Sequence, residues 1–107
     1  MAGPLSRPST GRQAVGFVYF MASKPHGTPY IGVTSDLADR VSQHREGLIE
    51  GFTKRYGVKT LVWYEAHETM ETAIQREASL KRWPRQWKIN LIERQNLHWT
   101  DLFPSLF

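Results

Sequence analysis

The sequence predicts an α+β domain in the order β-β-α-β-α-α, a small, mostly antiparallel sheet covered by helices. Three observations carry this. Residues 15–21 (VGFVYFM), 30–34 (YIGVT) and 58–66 (VKTLVWYEA) are short runs rich in β-branched and aromatic residues, the signature of strands. Residues 36–47, 70–83 and 85–95 have helix-forming composition with start and stop signals at their ends. The strand runs lack the repeated β-α-β spacing of a parallel sheet. A chain of 107 residues has room for one modest core.

The N-terminal stretch 1–14 (MAGPLSRPSTGRQA) has no apolar segment and reads as a flexible tail, ahead of a domain over 15–103 and a short tail at 104–107. The first strand is followed by SKPHGTP, whose Pro and Gly break the pattern before YIGVT resumes it, giving a β-hairpin with a long loop. Ser35 is placed to cap the first helix, with Asp36 and Asp39 at its positive end and Gly47 as its stop. Leu37 and Val41 form its apolar stripe, while Arg40 and His44, one turn apart, are neighbours. GLIEGFTKRYG (47–57) reads as an exposed loop with a possible helical turn, and the third strand follows. Thr69 caps the next helix, which must end or kink at Pro84; that proline in turn suits the first turn of the last helix.

The absence of cysteine excludes a disulfide framework, a thiolate metal site and a cysteine nucleophile, and fits a cytoplasmic protein. No apolar run reaches membrane-spanning length, so no membrane partner is expected. The net charge is +4, and residues 76–94 carry six basic side chains against two acidic ones, a balance suited to an anionic partner. Two features resist a purely structural reading. A tyrosine stands in each hairpin strand, Tyr19 and Tyr30, either as sheet packing or as part of a site. On the helix after Thr69, Met70, Ala73, Ile74, Ala78 and Leu80 project as an apolar stripe with Glu77 near its centre. A buried carboxylate left unpaired would cost several kcal/mol. Pairing with Lys81 or binding a metal would each relieve that cost, and pattern leaves both open.

Taken together, Phe17-Val18-Tyr19, Tyr30-Ile31-Gly32, Arg40, His44, Gly51-Phe52-Thr53-Lys54-Arg55-Tyr56 and Arg76-Glu77 closely resemble the GIY-YIG endonuclease family. The resemblance is to its small stand-alone members related to the excision-repair nuclease UvrC, and it runs from about Phe17 to Leu102. Phe17 replaces the name-giving glycine, and Val33 stands where UvrC-like members have lysine. The family's late asparagine matches Asn90 by distance from Glu77, with Asn96 as the alternative.

The resemblance implies a three-stranded antiparallel sheet flanked by helices, and a metal-dependent endonuclease that hydrolyses DNA. One Mg²⁺ or Mn²⁺ ion is expected on Glu77. Arg40 is then the clamp on the scissile phosphate, since a guanidinium offers two parallel donors at any working pH; the alternative is an ion pair with Asp36 or Glu46. Tyr19 is base or water-positioner, Tyr30 orients phosphate or water, and His44 is base or proton relay. Lys54, Arg55, Arg82, Arg85 and Lys88 are candidates to follow the DNA backbone, whereas Trp83, Trp87 and Trp99 read as core. The expected substrate is single-stranded, nicked or branched DNA of repair or recombination, with duplex DNA possible and RNA ranked behind DNA. A protein targeting partner and a non-catalytic nucleic-acid-binding module with the same fold are the alternatives.

Overall fold

A computed structural model describes residues 14–107; residues 1–13 of the expected tail lie outside the described residues. The strands are β1 (Gly16–Ala22), β2 (Tyr30–Thr34) and β3 (Thr60–His67). The helices are α1 (Leu37–Arg45), the single turn α2 (Phe52–Arg55), α3 (Met70–Lys81) and α4 (Arg85–Gln95). A 3-10 turn over Phe103–Leu106 closes the chain, where a tail was expected at 104–107.

The three strands form one antiparallel sheet in the order β2-β1-β3. β1 is central and covered on both faces, which is why its sequence is a continuous apolar run rather than an alternating one. Its register sets Tyr19 opposite Gly32 on one side and Tyr64 on the other. Between Phe20↔Trp63 and Met21↔Leu61 the strand β3 carries the extra residue Val62, a bulge that twists the sheet locally.

Each face of the sheet has its own core. Val18, Phe20, Ala22 and Ile31 pack under Ala73 and Leu80 of α3, Ile89 and Ile92 of α4, and Trp99. On the opposite face Tyr19 and Met21 pack with Leu37 and Val41 of α1, Val58 and Leu61, and the half-buried Leu102, Phe103 and Leu106 adjoin them. The outer edge of β3 is closed by side chains and backbone from further along the chain. The Gln95 amide both accepts from Tyr64 N and donates to Tyr64 O, each at 3.1 Å. Asn96 Nδ2 donates to Val62 O at 3.0 Å, and Asp101 Oδ1 and Leu102 N take the backbone groups of Leu61 at 3.2 and 2.8 Å. An edge satisfied in this way offers no template to another strand.

Two local expectations are corrected. Asp36, not Ser35, caps α1, its carboxylate accepting from Asp39 N at 3.1 Å while the Thr34 hydroxyl accepts from Asp36 N. On α3 the inward row runs through the buried Ala73, the half-buried Glu77 and the buried Leu80, leaving Ile74 and Ala78 exposed, because the helix touches the sheet along one row of side chains only. Thr69 caps α3 as expected, accepting from Thr72 N at 3.1 Å.

Candidate active site

Tyr19 lies at the middle of the central strand and is 1% exposed. Its ring passes directly over Gly32: a Cβ at that position would stand 2.4 Å from Tyr19 Cζ and from the hydroxyl oxygen. The glycine of YIG is therefore the space into which the first tyrosine folds. From there the phenol oxygen reaches His44 Nε2 on α1 at 2.9 Å, and His44 Nδ1 lies 3.0 Å from Thr53 Oγ1 on α2. His44 and Thr53 are each 2% exposed, so this three-member chain is nearly dry. With the proton on Nδ1 the ring donates to Thr53 and accepts the Tyr19 O–H at Nε2; the other tautomer reverses both bonds.

Electrostatics divide these groups. Burial first, then the charge on Tyr30, raises the Tyr19 phenol above its ordinary value; Arg40 pulls against this and Glu77 adds to it. Burial, reinforced by the Arg40 cation, lowers His44 to about 4. At neutral pH the pair is thus a phenol facing a neutral imidazole.

Tyr30 completes an aromatic cluster, its ring 6.3 Å from Tyr19 and 5.1 Å from His44. It also lines an open groove of about 270 Å³ with Thr28, Pro29, Ile31, Phe52, Lys81 and Lys88. Arg40, on α1, is half-buried and its side chain forms no hydrogen bond or ion pair with any described residue. The pairs with Asp36 or Glu46 considered from sequence are absent among the described residues. Glu77, with its side chain 17% exposed, places Oε2 3.0 Å from Lys81 Nζ, while Oε1 has no hydrogen-bond partner among the described residues. A half-buried carboxylate with one unused oxygen suits a hard divalent cation whose other positions are filled by water and phosphate. No cluster of three or more metal-ligating side chains occurs among the described residues, so an ion held by Glu77 would draw most of its ligands from water and phosphate.

The other sequence candidates separate. Asn90 is exposed on α4 and accepts from Gln86 at 2.9 Å. Asn96 is buried, and its amide is used internally on Val62 O, Thr100 O and Thr100 N. Lys88 stands in the Tyr30 groove and Arg82 is exposed at the end of α3. Arg85 is tied to Thr28 and to the His26 carbonyl, which anchors the hairpin loop to α4. Lys54 pairs with Glu50 at 2.9 Å, and Arg55 lies over the Tyr56 ring. Of the tryptophans, Trp99 is buried and Trp83 half-buried, but Trp87 is exposed, its indole packed edge-on to Trp83. Thr53 had no assigned role from sequence; a lone threonine in a Lys-Arg loop gives no sign that its hydroxyl is the one buried group of that turn.

Residues 15–90 match the family model described as the GIY-YIG catalytic domain. The chain is 34% identical over 79 residues to UPF0213 proteins of Staphylococcus aureus strains Mu50, N315 and MW2, covering 74% of this chain and 95% of each relative. No solved structure matches the chain.

Proposed function

Since the chain belongs to the GIY-YIG catalytic domain family, a nuclease family, we propose that it is a divalent-metal-dependent endonuclease cutting single-stranded, nicked or branched DNA. The observation that supports the reading is the convergence of Tyr19, Tyr30 and His44 within the fields of Arg40, which has no side-chain partner among the described residues, and of a half-buried Glu77. Hydrolysis of a phosphodiester needs an activated water, charge neutralisation on the non-bridging oxygens and help for the leaving oxygen. Arg40 clamps the scissile phosphate through two parallel N–H donors. Tyr30 orients that phosphate or the attacking water. Glu77 holds one Mg²⁺ or Mn²⁺, which when bound would neutralise charge developing on the phosphate and on the departing oxygen.

The pKa directions and the Tyr19–His44 contact support one proton path. A phenol raised above its ordinary value does not begin as phenolate, so Tyr19 acts by relay: its oxygen takes the proton of the attacking water as its own proton passes to His44 Nε2. His44, neutral at pH 7, is free to receive it, and Thr53 holds the ring by accepting Nδ1–H. Arg40 eases negative charge on Tyr19 while opposing positive charge on His44, so the transfer is favoured only when a phosphate balances the guanidinium.

The Lys81 to Glu77 ion pair favours one rival, a module that binds nucleic acid without cutting it, in which the carboxylate is simply satisfied. Labelled single-stranded, duplex and branched DNA, and RNA, incubated with Mg²⁺, Mn²⁺ or EDTA, separate the two. Metal-dependent cleavage lost in Glu77→Ala and Arg40→Ala is the expected result. Cleavage persisting in EDTA or in Glu77→Ala would overturn the metal role, and binding without cutting on every substrate would favour the rival. We further place the protein in the cytoplasm, acting on repair or recombination intermediates, with or without a targeting subunit; no helix among the described residues is long and apolar enough to cross a membrane.

A further inference from the structure

The turn α2 carries two large rings that neither core uses. Phe52 is 41% exposed and Tyr56 57%, and neither belongs to the clusters on the two faces of the sheet. Their centroids are 4.9 Å apart, and the Arg55 guanidinium lies 5.7 Å from the Tyr56 ring. Exposed aromatic area of this kind gains nothing for folding and calls for a partner. With Glu50, Gly51, Lys54 and Arg55 the rings line an open depression of about 770 Å³. Phe52 also lines the groove that contains Tyr30, Lys81 and Lys88, so the two concavities are neighbours that share one side chain.

The chemistry of this surface selects its occupant. Lys54, Arg55, Lys81 and Lys88 outnumber the one lining acid, Glu50; with Glu50 paired to Lys54 and Glu77 to Lys81, four cations face two acids. Aromatic faces interleaved with cations match a strand that presents phosphates and bare base faces in alternation. A base inside a duplex has both faces covered by its neighbours and cannot lie on a ring. We propose that Phe52 and Tyr56 form a stacking platform for one unpaired base of the DNA strand whose phosphate enters the Tyr30–Lys81–Lys88 groove. This rests on the endonuclease reading and deepens it, because it makes recognition of unpaired DNA a property of α2. The same turn supplies Thr53 to His44, so the strand that stacks on Phe52 presses on the element that holds the imidazole.

Fluorescence anisotropy in EDTA, where no metal-dependent cutting intervenes, tests the platform with a single strand, its blunt duplex and a series of single strands carrying one abasic site. Phe52→Ala is expected to weaken single-strand binding by about 5- to 100-fold and duplex binding by less than about twofold, with Phe52→Trp restoring it. One abasic position should reproduce the loss in the unmodified protein and add nothing to Phe52→Ala. Circular dichroism melting of Phe52→Ala and Tyr56→Ala should be unchanged, as both rings are exposed. Unchanged single-strand affinity in both variants, or equal losses on single strand and duplex, would overturn the platform while leaving metal-dependent cleavage to stand by itself. Self-association abolished by Phe52→Ala would assign the rings to a second copy and also overturn it. An unmodified protein that neither binds nor cuts any of these substrates would remove the endonuclease reading, and the platform with it.

Discussion

A methyl group at position 32 would collide with the Tyr19 ring and its hydroxyl, and the ring cannot retreat because its oxygen is held by His44. Gly32→Ala is therefore expected to destabilise the fold by about 1–3 kcal/mol and to abolish cleavage. Urea unfolding and a cleavage assay on the same preparation check both halves. His44 makes a second prediction. Its folded value near 4 lies below the ordinary value of about 6.5, so between these limits the unfolded chain binds a proton that the folded chain refuses. The associated stability is full above about pH 6.5 and is lost as pH falls toward 4, on the order of 3 kcal/mol across that window. Unfolding measured at several pH values should show this slope, and His44→Gln should flatten it; parallel slopes would refute the assignment. Tyr19, Arg40, His44 and Glu77 could be singled out as a candidate set through the family resemblance, since pattern alone left Tyr19 between packing and site and Glu77 between ion pair and metal. Thr53 could not, since its role lies in which way one hydroxyl points.

At the scale of elements, strong punctuation made the reading accurate and weak punctuation did not. Thr69 and Pro84 leave little freedom, and α3 and α4 begin directly after them, although Pro84 stands as the extended N-cap of α4 and not within its first turn. Ser35 and Asp36 are both good caps, and only the Thr34 hydroxyl, by accepting Asp36 N, decides that Asp36 holds α1. The apolar projection of α3 counted Ile74 and Ala78 as core, whereas a helix lying on a small sheet buries a narrower row. The two asparagines of α4 and its end separate by the same logic. Asn96→Ala removes three hydrogen bonds, one buried and two partly buried, and is expected to cost about 1–3 kcal/mol, while Asn90→Ala should alter stability by less than about 0.5 kcal/mol. Melting curves test the stabilities; a loss of cleavage in Asn90→Ala at unchanged melting temperature would identify it as the family's functional asparagine.

Across the whole molecule, the sheet order and the closure of its edge were not legible in local pattern, because they depend on residues far apart in the chain: Leu61 with Asp101, Val62 with Asn96, Tyr64 with Gln95. Tyr19, Tyr30, Arg40, His44 and Glu77 all precede Pro84, yet Ile89, Ile92 and Trp99, which cover one face of the sheet, follow it. A chain stopped at residue 84 keeps every one of those five residues and should still show no cooperative unfolding transition, only exposed apolar surface detectable by dye binding. Synthesis on the ribosome runs in that same order. At roughly 5–20 residues per second, the proposed catalytic set emerges a few seconds before the segment that locks the sheet. A nuclease assembled this way is expected to stay inert as a nascent chain, and to acquire cutting competence only once residues 95–102 are free to close over β3.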